Sequence, residues 1–190
     1  AREYDSWRAY EQFVRNTGGA LDFYSFHTYD YYRWEEGTIR GRVQSGLPLE
    51  NILDLYASAL TKQLGDVKPL VVSEHGGYIT SRGDQKGRYD GDVVSDKIAS
   101  IYFPKENYEG TAWEWELKKR SIMDFVHVSS LMANTLCFLE HPHVVEKAVP
   151  FILFNTWSWD VHYYANLYVP YQYEDRARWE ATQMVNFYKF

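Results

Sequence analysis

The stretch KPLVVSEHGGY, Lys68 to Tyr78, combines two features that decide the fold. Its first part, Pro69 to Ser73, is a short continuous apolar run with two adjacent valines, which predicts a strand covered on both faces. The run then presents an acid, an imidazole and two glycines. A carboxylate directly after a buried strand loses hydration, so it needs a partner or a chemical task. Glu74 is therefore the first candidate for a functional residue.

Helical and strand patterns alternate on both sides of this stretch. The predicted elements are a helix over Tyr4–Arg15, a strand over Leu21–His27, a helix over Leu49–Leu64, a long loop over Ile79–Thr111, a helix over Trp113–Leu139, a strand over Phe151–Asp160 and a helix over Arg176–Phe187. Strands that alternate with helices predict a parallel sheet with helices packed outside it. The fold class is therefore α/β, and we expect one domain and no second.

The composition limits the classes of partner. The 190 residues include 17 Tyr, 10 Phe and 7 Trp, so many aromatic rings must face water or a ligand. A net charge of -6 without a Lys/Arg run argues against a nucleic-acid backbone as partner. No run of about 18 apolar residues is present, so we expect no membrane span. The single Cys137 cannot form an internal disulfide and is interpreted as a buried thiol.

Polar and aromatic residues follow each predicted strand. In parallel α/β folds, ligands bind at the carboxyl ends of the strands. The candidates are His27, Tyr29 and Asp30 after the first strand, Glu74, His75 and Tyr78 after the second, and Asn155, Trp157 and Trp159 after the third. Taken singly, His27 is also consistent with a histidine satisfied among aromatic rings, and Trp157 with ordinary core. Together they predict a site at one edge of the sheet.

The sequence lacks the residues that several other kinds of functional site require. The His141-Pro142-His143 segment has no third ligand nearby, so no metal is expected. No Ser or Cys lies in a nucleophile-elbow context, and Gly76-Gly77 is too short to cradle a phosphate. No cofactor is expected either. What remains is a carboxylate framed by aromatic rings, a combination suited to stacking on sugars and cleaving glycosidic bonds.

The same residues carry a family resemblance. The segments FHTYD, VVSEHG and FNTWSWD resemble the ends of strands six, seven and eight in the clan of retaining (β/α)8-barrel glycosidases. More narrowly, SFHTYDYY and VVSEHGGY are similar to glycoside hydrolase family 86, the β-agarases and β-porphyranases that cut red-algal galactans. The resemblance implies that residues 1–190 are the C-terminal half of a (β/α)8 TIM-barrel catalytic domain, incomplete as a single chain.

The resemblance also implies an activity and a set of roles. Glu74 would be the nucleophile of a retaining endo-glycoside hydrolase, and the other candidates would bind the sugar. Such an enzyme needs two carboxyl groups about 5–5.5 Å apart, and the acid/base Glu at the end of strand four has no counterpart here. The remaining half of the barrel would come from the same or a companion chain. The substrate would be a polysaccharide or oligosaccharide, and the enzyme would be bacterial and secreted or periplasmic.

Two alternatives stay open. The catalytic frame does not identify the sugar, so another glycosidase of the same clan, acting on xylan, mannan or a glucan, fits the same residues. A non-catalytic carbohydrate-binding protein would keep the aromatic face without two working carboxylates. An acid at the end of the fourth strand would decide between the second alternative and an enzyme.

Overall fold

The structure is a computed structural model that describes residues 2–35, 37–79, 91–154, 165–172 and 175–189. Within these ranges the helices are α1 (Arg2–Thr17), α2 (Leu47–Leu64), α3 (Gly91–Tyr102) and α4 (Ala112–Glu140). The strands are β1 (Tyr24–Glu35), β2 (Thr38–Arg42), β3 (Leu70–Ile79), β4 (Val145–Pro150), β5 (Tyr168–Gln172) and β6 (Asp175–Ala181). Two 3-10 helices cover Lys105–Asn107 and Gln183–Lys189.

The main sheet has four strands in the order β2-β1-β3-β4. The fold is α/β with a parallel sheet and helices, as the alternating pattern predicts. The edge strand β2 is antiparallel to β1, and Glu35 pairs with Thr38 at the end of the hairpin. Gly37 in this turn has φ +79°, a left-handed conformation that glycine adopts without a steric penalty. Strands β5 and β6 form a separate antiparallel pair.

The chain divides into two compact units. The first comprises Ala1–Thr28, Gln44–His75 and Ala133–Val149, and the second comprises Tyr29–Val43, Gly76–Met132 and Pro150–Phe190. Strands β1 and β3 and helix α4 therefore contribute residues to both units.

Helix α2 provides much of the core of the first unit. Its buried residues recur at three and four positions, which places them on one face of the helix; they are Leu49, Leu53, Tyr56, Ala59 and Leu60. Pro48 lies in its first turn, and Gly65 ends it in a left-handed conformation with its N–H bonded to the Thr61 carbonyl. These boundary signals are those that the sequence predicts.

The second unit has a smaller apolar core around Met123, which packs with Ile98 and Val126. Two indole N–H groups at the start of α4 also bond to backbone carbonyls, Trp113 to Pro170 and Trp115 to Phe103, each at 3.2 Å. These bonds satisfy the polar edge of half-buried or buried rings.

The helices α1, α2 and α4 are confirmed, whereas four other predicted elements are wrong in part. Strand β1 begins at Tyr24 and continues past His27 to Glu35. The predicted loop over Ile79–Thr111 contains α3, whose apolar positions Val94, Ile98 and Ile101 recur at helical spacing. Glycines and charges in that segment obscured the period.

The last two predictions fail for identifiable reasons. The predicted final helix is instead β6 followed by a 3-10 helix, because Ala177, Trp179 and Ala181 alternate with charged residues, which is the period of a strand. The predicted strand over 151–160 is displaced, since β4 ends at Pro150. Of its described residues, 151–154, only Leu153 forms a β-bridge, with Asn166; residues 155–160 lie outside the described ranges.

Helix α4 is, among the described helices, the one long and apolar enough to cross a membrane by length and composition alone. About 44% of its most apolar stretch is buried inside the protein. Its buried side chains also include the charged residues Lys119, Arg120 and Asp124. Charged groups packed against protein are typical of a core helix of a folded domain, so we interpret α4 as such a helix.

Candidate active site

Glu74 and His27 lie on neighbouring strands and contact each other. The Nδ1 atom of His27 is 3.2 Å from Oε2 of Glu74, and the side chains are 51% and 35% exposed. A carboxylate paired with an imidazole at this exposure is open to a ligand while it stays fixed by a neighbour. The structure thus brings together the two candidates from the ends of the first and second predicted strands.

The side chains of β3 do not alternate strictly between the two faces of the sheet, and this turns Glu74 toward β1. Val72 and His75 are buried, at 0% and 1% exposure, whereas the two residues between them both contact β1. The Ser73 hydroxyl bonds to the Ser25 hydroxyl at 2.6 Å, and Glu74 meets His27. In a regular strand successive side chains point to opposite faces, so the irregularity turns two consecutive side chains toward β1.

His75 faces the core rather than the same side as Glu74. Its ring packs edge-on against Phe138 of α4, with ring centroids 5.1 Å apart. Burial lowers the pKa of His75 to about 4, because desolvation disfavours the charged imidazolium. The side chain is therefore neutral at physiological pH and is placed to anchor the strand next to Glu74.

The other predicted ligand-binding residues have different surroundings. Tyr29 and Asp30, which belong to the second unit, are buried, and the Tyr29 ring packs edge-on against Phe151 at 6.0 Å. The backbone of Tyr78 lies in β3, but its side chain is outside the described part. Three further predictions lie wholly outside the described residues: Asn155, Trp157 and Trp159.

The two glycines after His75 have a packing role that was not predicted. A Cβ atom added at Gly76 would lie 2.9 Å from Nε2 of His127, and one at Gly77 would lie 2.8 Å from Oγ of Ser130. Both distances are too short for a real contact, so α4 approaches β3 here only because these positions lack side chains. Glycine inside a strand often marks such a close approach, and this signal was present in the sequence.

His141, of the His-Pro-His segment, makes structural contacts. Its Nδ1–H donates to the Cys137 carbonyl at 2.8 Å, and its Nε2 lies 3.4 Å from Oδ1 of Asp54. Among the described residues, no group of three or more His, Cys, Asp and Glu side chains is arranged to hold a metal ion. These contacts give His141 a structural role at the end of α4.

Among the comparisons with known proteins, only the comparison of structures finds matches. No family model and no curated protein matches the sequence. The fold matches a β-porphyranase of glycoside hydrolase family 86 from the human gut bacterium Bacteroides plebeius, with a TM-score of 0.62 and 20% identity. It also matches BuGH86 in complex with neoagarooctaose, with a TM-score of 0.61 and 19% identity. A Glu-to-Gln variant of BuGH86 with the same ligand also matches, with a TM-score of 0.62 and 18% identity.

These matches cover 97% of this chain but only 24–27% of the family-86 chains. The chain therefore spans about a quarter of the length of the structures it is similar to. The resemblance to family 86 predicted from the sequence is confirmed for the fold. This fold is one found in glycoside hydrolases, and the activity of the chain is a separate question.

Proposed function

We propose that this chain is the nucleophile-bearing part of a retaining endo-glycoside hydrolase that cleaves β-galactosidic bonds of red-algal galactans such as agarose or porphyran. In this proposal residues 1–190 form the second half of a (β/α)8 catalytic domain. The other half, in the same or a companion chain, supplies the acid/base carboxyl group. The enzyme would be bacterial and secreted or periplasmic.

One observation carries the proposal: the contact between Glu74 and His27 on adjacent strands, at 3.2 Å and with both side chains partly exposed. A carboxylate fixed in this way on a sheet is what a glycosidase nucleophile requires, because it must be ionised, oriented and accessible to the anomeric carbon. The similarity in fold to a β-porphyranase and to an oligosaccharide complex supports the substrate class.

The proposed reaction has two displacement steps. Glu74 attacks the anomeric carbon and forms a covalent glycosyl-enzyme, while the acid/base group protonates the departing glycosidic oxygen. The same group then takes a proton from water, which attacks the anomeric carbon and releases the sugar and the Glu74 carboxylate. Each step inverts the configuration, so the product retains it. The contact with His27 at 3.2 Å is proposed to hold the Glu74 carboxylate in the orientation needed for attack.

Aromatic and polar residues near the strand ends are proposed to bind the sugar chain. Trp157 would form the floor beneath the sugar at the cleavage point, and Tyr78, Asn155 and Trp159 would line the adjoining surface. His75 has no direct place in this surface because it is buried.

The test is a Glu74→Gln variant of the full-length protein that contains this chain. Wild type and variant are assayed by release of reducing sugar from agarose, porphyran, xylan, mannan and β-glucan. We expect wild-type activity on a red-algal galactan and a loss on the order of 10⁴-fold or more in the variant, since removal of a nucleophile eliminates the covalent route. Near-normal turnover by the variant would contradict the proposal.

The same assay separates the alternatives. Activity on xylan, mannan or a glucan, lost in the variant, would keep the role of Glu74 and change the substrate. Binding of a polysaccharide without turnover of any of the five would indicate a non-catalytic carbohydrate-binding protein.

A further inference from the structure

Two fully buried polar side chains of the first unit have polar atoms without a partner. Asn134 of α4 is 0% exposed and His75 of β3 is 1% exposed. Within the described part of the chain, Nδ1 of His75 and both polar atoms of the Asn134 amide form no hydrogen bond. Each buried polar atom left in this state costs about 1–3 kcal/mol, so native proteins almost always satisfy such groups with a protein atom or an ordered water.

The packing of β3 on α4 places these two residues on facing sides. The His75 ring contacts Phe138 at 5.1 Å between centroids. Asn134 precedes Phe138 by four residues and therefore lies on the same face of α4, one turn away. Neither side chain can turn to solvent, because both are enclosed by the protein.

We propose that a buried water molecule bridges Nδ1 of His75 and the amide of Asn134, and that this bridge makes both of them positioning residues for Glu74. The inference rests on the proposed role of Glu74. The water receives or donates one hydrogen bond at the imidazole and bonds to the amide oxygen or nitrogen, which gives it at least two polar partners. The bridge fixes the residue that directly follows Glu74 against the helix layer.

The neutral state of the imidazole agrees with this arrangement. Burial lowers the pKa of His75 to about 4, so at neutral pH one ring nitrogen carries a proton and the other accepts. A neutral, hydrogen-bonded ring in the core provides orientation without the cost of a buried charge. Glu74, one residue earlier, stays partly exposed and paired with His27.

A double-mutant cycle on the full-length protein tests the bridge. The variants are His75→Phe, Asn134→Leu and the combination of both, each of which replaces polar atoms by apolar ones of similar volume. Each single variant leaves the other polar group without its partner, whereas the double variant removes both. We expect both single variants to lower the melting temperature and the double variant to recover most of that loss.

The catalytic readout separates positioning from stability. We expect kcat to fall about 10–100-fold in all three variants with KM changed less than about twofold, because a misplaced reacting group loses rate and not ground-state binding. Val14→Ala, a truncation of a core residue of the same unit that is 0% exposed, is the control. It should lower the melting temperature and leave kcat near that of the wild type.

Two results would overturn the inference. Additive losses of stability in the double variant would show that the two groups are not coupled. A kcat that follows melting temperature in the same way as in Val14→Ala would show that they serve stability alone. The unfolding cycle needs no activity, so it tests the bridge even if Glu74→Gln stays active and the proposed function fails.

Discussion

Replacing Gly77 by alanine tests whether the close approach of α4 fixes the end of β3. The added Cβ would lie 2.8 Å from Oγ and 3.0 Å from Cβ of Ser130, whereas carbon atoms in contact are about 3.5–4.0 Å apart. Helix and strand must therefore separate by about 0.5–1 Å, or the strand must twist. Overpacking of this size costs about 1–3 kcal/mol.

Melting of the full-length protein, followed by circular dichroism, measures this cost. For a domain of 150–250 residues about 1 kcal/mol corresponds to about 2–4 °C, so Gly77→Ala should lower the melting temperature by several degrees. Gly19→Ala is the matched control, since a Cβ there has no atom within 4 Å. That variant should be unchanged or slightly more stable.

A second-site change gives the sharper result. Ser130→Gly removes both atoms that the new Cβ would strike, and the next nearest atom, Cα of His127, is 3.5 Å away, an ordinary contact distance. A glycine inside the helix costs about 1 kcal/mol by itself, but in that background Gly77→Ala should add almost nothing. Equal losses of stability from Gly77→Ala with and without Ser130→Gly would refute the steric argument.

Three further predictions concern charge and completeness. His27→Ala should lower kcat about 5–10-fold at neutral pH, because it removes the contact that orients the partly exposed Glu74 carboxylate; unchanged steady-state kinetics would contradict this. The pKa of Asp124 is raised by burial from 3.8 to about 6, so its stabilising effect is full below pH 3.8 and falls as pH rises through 6. Between pH 4 and 7 the free energy of unfolding of the wild type should therefore fall relative to that of Asp124→Asn, by up to about 3 kcal/mol. Parallel plots of the two unfolding free energies against pH would refute this. Residues 1–190 expressed alone should be inactive and prone to associate, since α4 leaves apolar side chains such as Phe125 and Leu139 about 70% exposed; a monomeric, active preparation would show otherwise.

The fold was predictable where local signals and tertiary packing agree. The apolar spacing of α2 with Pro48 and Gly65 at its ends specifies that helix almost to the residue. The buried run before Ser73 likewise indicates β3. In both segments the pattern that fixes the local structure is the same pattern that packs in the core.

Prediction failed where the deciding contacts lie outside the segment. The hairpin of β1 and β2 depends on a turn through Gly37 rather than on an apolar period. The charged segment of β6 has strand alternation but also helix-favouring residues, and its pairing with β5 decides the outcome.

The candidate site shows the same division. The sequence identified Glu74 and His27, because an acid after a buried strand and a polar residue after its neighbour converge at one sheet edge. It did not reveal that His75 turns into the core, since this follows from an irregularity in β3 that no single-strand pattern encodes. The neighbouring glycines did carry a readable signal, and that signal concerned packing and not a ligand.

Trapping of the covalent intermediate would identify the nucleophile of the proposed reaction. The full-length protein is incubated with a 2-deoxy-2-fluoro galactoside, which slows the second step of a retaining reaction, and is then digested with trypsin and analysed by mass spectrometry. We expect one glycosyl adduct on the peptide from Gln63 to Arg82, with fragmentation placing it on Glu74. An adduct on a different residue, or an active enzyme whose product has inverted configuration, would contradict it.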